Sequence, residues 1–284
     1  MEMEYPHSGI RIESTLTEKE KWFFDLQGFL VIRQAISPNE LADLQNIVQD
    51  WMETDPEQMP PPTVLNKIEY GMNIVHPQYG HKAFERLAQH PNLIRMVMGL
   101  MWNRPRLFIS GIQVKTKRPL DDKILMHKDH SGFEFPPGFR NPHNDYQVSN
   151  GKIYSNFVNV SFALTDVPPD MGFACVPGSH KSDIKCPSTI HLMDDDSPAI
   201  TFPLNAGDAI IFSPNLIHGA KPWTADHPRI TVFNRYQFSF YFNENPSYPM
   251  ETHKDKISEA QYDLESVGVE EKTVVKHILA ALES

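Results

Sequence analysis

The chain has 284 residues, enough to bury one sizeable hydrophobic core, and its formal net charge of −10 argues against nucleic acid as a partner. Two cysteines, Cys175 and Cys186, are too few for a disulfide framework, and no apolar run approaches the length of a transmembrane helix. Because the first residues are acidic and polar, unlike a secretory signal, we predict a cytoplasmic protein without a membrane partner.

The first fifty residues predict two amphipathic helices separated by a strand. Thr17 caps the first helix, with Glu20 three residues later, and Gly28 ends it. Residues 29–32 are apolar and predict a strand. The second helix runs from residue 38 to about 53, with these apolar residues at helical spacing: Leu41, Leu44, Ile47, Val48 and Trp51.

Residues 55–80 contain five prolines, which exclude a continuous helix. Such a segment can cover an active site or can be a surface connection, and the sequence leaves both readings open. Residues 81–101 predict another helix, and residues 106–116 predict the first long strand, which carries Gln113.

Residues 156–163 predict a strand in which polar and apolar side chains alternate. Asn159, Ser161 and Ala163 share one face because side chains two apart in a strand point to the same side. This face is expected to touch something polar inside the protein.

The segment 123–130 predicts a short strand that ends in a His-x-Asp pair. His127 and Asp129 face the same side, about 6 to 7 Å apart along the strand, so they can share one metal ion. Two other such pairs lack this context: residues 143–145 lie among turn-forming residues, and residues 253–255 lie in a segment that predicts helix.

His218 is the expected third ligand, placed after a Gly207-Asp208 turn and a buried apolar strand. Two histidines and one carboxylate form the facial triad of non-haem iron oxygenases, which leaves coordination positions open. Arg229 opens the next apolar strand eleven residues later. A guanidinium at that place can bind the far carboxylate of a dicarboxylate cosubstrate in two-point fashion.

These motifs, in this order, resemble the phytanoyl-CoA dioxygenase family of iron(II)- and 2-oxoglutarate-dependent oxygenases, and the resemblance covers most of the chain. Its N-terminal signature is similar to residues 24–41, and residues 161–180, ending in Pro-Gly-Ser-His, resemble a second family motif. Gly207-Asp208, His218-Gly219 and Arg229 complete the set.

The expected fold is a mainly β double-stranded β-helix, the jelly-roll barrel of the cupin class, with flanking N- and C-terminal helices. We expect one oxygenase domain over residues 1–284. It divides into a helical bracing region (1–105), a jelly-roll core (106–245) and a C-terminal helical tail (246–284). The tail packs on the outside or at a contact in a homo-oligomer.

The resemblance implies iron(II), 2-oxoglutarate and O2 as cofactor and cosubstrates. Iron(II) would be held by His127, Asp129 and His218, while Arg229 would anchor 2-oxoglutarate. The following residues would also contact the cosubstrate: Gln113, Asn159 and Ser161.

The substrate would contact the loop that follows the first two ligands and one tryptophan after the third ligand. These candidates are Phe133, Phe135, Arg140 and Trp223. Packing onto the barrel rim explains each of them equally well. His180 is expected to be structural, because the Pro-Gly turn before it closes a strand pair.

The expected activity is hydroxylation, or another oxidation, of an unactivated C–H bond in a small metabolite or natural-product intermediate, with release of succinate and CO2. Three alternatives stay open: an acyl-CoA hydroxylase, a metal-binding jelly roll without turnover, and a cupin isomerase. A halogenase is disfavoured because Asp129 occupies the place where halide would bind.

Overall fold

The structure is a computed structural model that describes residues 16–118, 126–129, 146–155, 157–182, 184, 187, 197–240, 250–273 and 276. Six helices lie in these residues: α1 (Glu18–Gln27), α2 (Pro38–Glu53), α3 (Pro77–Gly80), α4 (Lys82–Ala88), α5 (Pro91–Leu100) and α6 (Glu259–Glu265). None of these helices is long and apolar enough to cross a membrane.

Local sequence explains where the first two helices begin and end. Thr17 and Glu20 form the predicted capping box of α1, and Gly28 ends this helix with φ +86°, a conformation that glycine adopts without strain. A second capping box, from Ser37 and Glu40, begins α2. The helix predicted over 81–101 is divided in two, because Pro91 begins a new helix at α5.

Twelve strands accompany the helices. They are β1 (Phe29–Ile32), β2 (Val64–Ile68), β3 (Gly71–Val75), β4 (Pro105–Lys115), β5 (Tyr146–Ser149), β6 (Lys152–Ser155), β7 (Phe157–Ala163), β8 (Gly172–Cys175), β9 (Ile200–Thr201), β10 (Ala209–Phe212), β11 (His218–Lys221) and β12 (Arg229–Phe238).

The strands form an antiparallel sheet of seven in the order β1-β10-β7-β12-β4-β3-β2 and a second sheet of three in the order β11-β8-β9. A separate hairpin joins β5 to β6. This arrangement confirms the predicted mainly β jelly roll with flanking helices.

The two faces of the large sheet contribute to different cores. One face packs with the helices in a large apolar cluster that includes Leu44, Val160 and Val232. The opposite face contributes to a smaller cluster shared with the three-stranded sheet, where Phe212 meets Phe173 at 5.0 Å between ring centroids. We call this second face, which looks toward the small sheet, the inner face.

The segment 55–80, for which the sequence predicted no regular element, contains the β2-β3 hairpin. β3 pairs antiparallel with β4, the first long strand that the sequence predicted, so the hairpin extends the large sheet on that side. β1 lies at the other edge, paired with β10. The region predicted as helical bracing therefore contributes three strands of the large sheet as well as helices.

Asp208, in the predicted Gly-Asp turn, joins the end of β1 to the start of β10. Its fully buried carboxylate accepts hydrogen bonds from the Arg33 guanidinium at 2.7 Å and from the backbone N–H groups of Gln34 and Asn205, both at 2.8 Å. These partners satisfy a buried charge that would otherwise be costly, so the motif is explained by structure alone.

The C-terminal part of the chain is attached through the buried carboxylate of Glu265, the last residue of α6. Glu265 accepts hydrogen bonds from Tyr79 at 2.5 Å, from Gln78 at 3.0 Å and from Gln261 at 2.6 Å, and burial raises its pKa to about 7. The helix predicted over 257–282 is interrupted, because Ser266 is extended.

His180 is buried against Gly28, the residue just before β1, as its predicted structural role requires. Its ring lies 4.6 Å from the ring of Tyr146, and a Cβ atom at Gly28 would come within 2.6 Å of its Nδ1 atom. Burial lowers the pKa of His180 to about 4, the charges of Lys181 and Lys128 act in the same direction, and Asp25 opposes them.

This pKa predicts a loss of stability in acid. Between pH 6.5 and pH 4 the unfolded chain binds a proton at His180 that the folded chain does not, so the free energy of unfolding falls as the pH falls. We expect the decrease from pH 7 to pH 5 to be about 2 kcal/mol larger in the parent than in His180→Leu. Urea unfolding of both metal-free proteins measures it.

Val64→Leu, at an exposed position of β2 that carries no titratable group, provides the control and is expected to keep the parent's pH dependence. Equal pH dependence in the parent and His180→Leu would show that His180 is not held neutral.

Candidate metal centre and cosubstrate site

His127 and His218 are backbone partners in an isolated antiparallel bridge. Each residue donates its N–H to the carbonyl oxygen of the other at 2.9 Å. The two imidazole ring centroids are consequently 4.5 Å apart. Two ligands that lie about ninety residues apart in sequence are thus brought together by the backbone.

Asp129 completes a cluster with the two histidines, as the sequence predicted. Its backbone N–H donates to the Pro214 carbonyl at 3.0 Å, which holds it beside the bridge. Its Oδ1 lies 3.5 Å from Nε2 of His127, and its Oδ2 lies 3.7 Å from Nε2 of His218. One ligand atom from each of the three residues lies within 4.8 Å of the other two.

The protonation of His218 suits metal binding. Its Nδ1 lies 2.8 Å from the Leu216 carbonyl oxygen, which can only accept, so Nδ1 carries the proton and Nε2 presents its lone pair to Asp129. Burial lowers the pKa of His218 to about 4, against the opposing charge of Asp129, so the ring is neutral at pH 7.

Asn159 orients the carboxylate of Asp129. Its amide Nδ2 donates to Oδ2 of Asp129 at 2.6 Å. Burial by itself would raise the pKa of Asp129, but the hydrogen bond from His127, the charge of Arg235 and the hydrogen bond from Asn159 hold this pKa well below its usual range. Asp129 is therefore a permanent anion that lies between the Nε2 atoms of the two imidazoles.

This donor set fits a divalent transition metal. Ligand atoms about 2 Å from a shared ion lie roughly 3 to 4 Å from one another, close to the separations found here. His218 and Asp129 are largely buried, whereas the side chain of His127 is 45% exposed, so the cluster opens to solvent on the His127 side. Such an opening admits further ligands to the ion.

Arg229 begins β12 on the inner face, where it lies opposite Lys115 of β4. Its buried Nε has no hydrogen-bond partner among the residues that the structure describes. Gly172, with φ +67°, lies beside it, and a Cβ there would come within 3.6 Å of Nε. Burial lowers the pKa of Arg229 to about 10, so the guanidinium remains charged at pH 7 and can receive an anion.

The other predicted cosubstrate contacts share this face. Gln113 lies opposite Thr231 of β12, and Ser161 lies opposite Phe233 of the same strand. Asn159 lies on the same side as Ser161, as the predicted alternation in β7 requires, but its amide contacts Asp129. Its placement favours a role in positioning that carboxylate.

The predicted substrate contacts have different outcomes. Trp223 is 2% exposed, packs in the smaller apolar cluster and donates its Nε1 to the His227 carbonyl at 2.6 Å. This packing accounts for Trp223 without a substrate. Phe133, Phe135 and Arg140 lie outside the described residues, so their contacts remain predictions.

Arg235, which no motif of the sequence singles out, lies on the inner face opposite Asn159. A usable signal was present: the alternation that starts at Arg229 continues unbroken through Thr231 and Phe233 to Arg235, and the β-bulge follows only after it.

A jelly roll that brings two histidines and one aspartate together on strand ends has the architecture of a non-haem iron oxygenase. Residues 24–231 match the phytanoyl-CoA dioxygenase (PhyH) family. The chain therefore belongs to the phytanoyl-CoA dioxygenase family, as its motifs predicted.

Individual relatives have low sequence identity to this chain, but the similarity covers most of both chains. The ectoine dioxygenase of Sphingopyxis alaskensis is 23% identical over 259 residues, which cover 80% of this chain and 78% of the relative. HygX from Streptomyces hygroscopicus, solved with nickel, 2-oxoglutarate and hygromycin B, superposes with a TM-score of 0.65 at 22% identity, covering 80% of this chain and 89% of HygX. EctD from S. alaskensis gives 0.61 at 18% identity, covering 87% and 84%. These structures show the same fold.

The contact between Asn159 and Asp129 predicts a measurable effect on metal binding. Asn159→Ala removes the amide that fixes the carboxylate, so we expect a roughly 10- to 100-fold loss of iron(II) affinity. Anaerobic competition with a chromophoric chelator measures the affinity. Asn66→Ala, at an exposed position of β2, is the control and should bind like the parent; an equal affinity in Asn159→Ala would contradict this role.

Proposed function

We propose that this protein is an iron(II)- and 2-oxoglutarate-dependent dioxygenase that oxidises an unactivated C–H bond of a small metabolite or natural-product intermediate. The observation that carries the proposal has two parts. The triad of His127, Asp129 and His218, anchored on the small sheet, contacts the inner face of the large sheet through Asn159, and the same face carries the unpartnered Nε of Arg229.

Each residue has a distinct task in this proposal. His127, Asp129 and His218 would hold the ion, each through one atom, and an ion with this ligand set has coordination positions left for the cosubstrates. Arg229 binds the far carboxylate of 2-oxoglutarate, and the backbone of Gly172 leaves room beside it. With iron(II) bound, O2 would be the oxidant and 2-oxoglutarate would supply two electrons. One oxygen atom would enter succinate as CO2 is released, and the other would be left to oxidise the substrate.

Arg229 is also what distinguishes this proposal from a metal-binding module or a cupin isomerase. Neither alternative gives a reason to bury an arginine whose Nε lacks a partner, because an unsatisfied buried donor costs about 1 to 3 kcal/mol. A dicarboxylate would satisfy this donor and would also neutralise the charge.

The similarities favour a small polar substrate over an acyl-CoA thioester. The relatives reported above are named for ectoine or were solved with hygromycin B. Both names denote small polar compounds, so we extend this substrate class to the present protein.

Anaerobic titration of the metal-free protein, first with iron(II) and then with 2-oxoglutarate, tests the proposal. We expect the weak visible charge-transfer band of the chelated cosubstrate in the parent and its absence in Asp129→Ala. Arg229→Gln should need about 10- to 100-fold more 2-oxoglutarate, since it loses a charge-assisted contact. Lys117→Gln removes an exposed cation as the control and should titrate like the parent.

Failure would be clear in this experiment. If iron(II) binds at the triad and no band forms at any 2-oxoglutarate concentration, the cosubstrate mechanism is contradicted. Equal 2-oxoglutarate affinity in Arg229→Gln and the parent would remove Arg229 from its assigned role.

A further inference from the structure

Arg235 is the second arginine of β12 on the inner face, and it lies at the end next to the proposed metal ligands. It follows Arg229 by six residues on β12, which corresponds to about 20 Å of strand. Its direct neighbours across the sheet are Asn159 of β7 and Ile109 of β4. Because Asn159 holds the carboxylate of Asp129, Arg235 is beside the triad, far along the strand from Arg229.

The guanidinium of Arg235 makes no hydrogen bond or ion pair with any residue that the structure describes, although the side chain is half-buried. Asp129 is near enough for the charge of Arg235 to lower its pKa, yet its oxygens face the two imidazoles and the Asn159 amide. The same charge helps to lower the pKa of His218. Arg235 thus acts on the triad without contacting its carboxylate.

Once the proposed ligands are bound, the positive charge of Arg235 has no counter-charge among them. The two charges of iron(II) and the one of Arg229 are matched by Asp129 and by the two carboxylates of 2-oxoglutarate. Lys115, the other cation on this face, lies opposite Arg229, at the end of β12 away from Arg235. A half-buried cation next to this neutral assembly is unfavourable unless an anion accompanies it. The substrate is the one remaining component of the reaction that can bring that anion.

We propose that Arg235 binds a carboxylate of the substrate and thereby sets which C–H bond lies at the metal. This inference rests on the proposed function and deepens it: the substrate is a small molecule with one carboxylate, bound from the His127 side of the triad. Asn159 offers a further contact, because its buried Oδ1 has no partner within the described residues and can accept a hydrogen bond from the guanidinium or from the substrate.

Matched pairs of acids and their amides test this inference without knowledge of the natural substrate. The probes are benzoate, cyclohexanecarboxylate and indole-3-acetate, each beside its carboxamide. They are titrated calorimetrically, without oxygen, into protein loaded with iron(II) and saturating 2-oxoglutarate. In the parent and in the Lys117→Gln control we expect at least one acid to bind ten-fold or more tightly than its amide.

The variants separate the two arginines. In Arg235→Gln the preference for the acid should fall to about one, while Arg235→Lys should keep part of it because it retains the charge. The charge-transfer titration with 2-oxoglutarate should be within about two-fold of the parent in Arg235→Gln. Arg229→Gln should show the opposite pattern: weaker 2-oxoglutarate binding and, at saturation, an unchanged preference for the acid.

Three results would overturn the inference while leaving the proposed function intact. The first is that the parent shows no preference for the acid, and the second is that this preference survives in Arg235→Gln. The third is that Arg235→Gln loses as much 2-oxoglutarate affinity as Arg229→Gln, or as much iron(II) affinity as Asn159→Ala. The last result would assign Arg235 to the cosubstrate or the metal. Absence of the charge-transfer band in the parent would overturn both proposals.

Discussion

The backbone bridge between His127 and His218 is the interaction on which the site depends. Two reciprocal hydrogen bonds hold the ligands side by side, and the bond from Asp129 to Pro214 brings the third ligand to the same place. His218 is also the first residue of β11, which pairs with β8, so the bridge is anchored in the small sheet. Ligand geometry is therefore set by strand pairing before any ion binds, as a preorganised metal site requires.

The large sheet separates two kinds of chemistry by the alternation of its side chains. On β12, Ile230 and Val232 face the helices, whereas Arg229, Thr231 and Arg235 face inward. A slip of one residue in the pairing would exchange these faces and bury the arginines among the helices. Apolar packing of the outer face thus specifies the register that positions the charged groups on the inner face.

The charged residues of the inner face have the opposite sign to the net charge of the chain. The protein is acidic overall, with a formal net charge of −10, yet the inner-face residues of β4 and β12 include Lys115, Arg229 and Arg235. At close range in a partly buried site, these local cations outweigh the distant surface charge, because solvent and salt screen exposed groups. An acidic exterior with a cationic interior agrees with the anionic cosubstrate and with the carboxylate substrate proposed above.

Much of this architecture could be predicted from local sequence patterns. The caps at Thr17 and Gly28, the alternation in β7 and the strands that follow Asp208 and start at Arg229 all result from short-range rules, and the structure has them where the sequence placed them. The three proposed metal ligands and Arg229 could be singled out from the His-x-Asp pair and the spacing of His218 and Arg229, and the family motifs contain the same residues.

Features that depend on tertiary contacts could not be predicted in the same way. The β2-β3 hairpin follows a proline-rich segment whose pattern is irregular, and it is a strand pair because β4 offers an edge. The bond from Asn159 to Asp129 joins segments thirty residues apart, so no local pattern reveals it. Arg235 is an intermediate case. The alternation of side chains in β12 predicts its place on the inner face, but only the pairing of β12 with β7 shows that it lies opposite Asn159.

A crystal structure grown without oxygen in iron(II) and 2-oxoglutarate tests the central claim most directly, through the anomalous signal of iron. The account predicts one iron peak between His127, Asp129 and His218, with a dicarboxylate that reaches from this ion to the guanidinium of Arg229. Iron bound elsewhere, or 2-oxoglutarate whose far carboxylate does not reach Arg229, would contradict it.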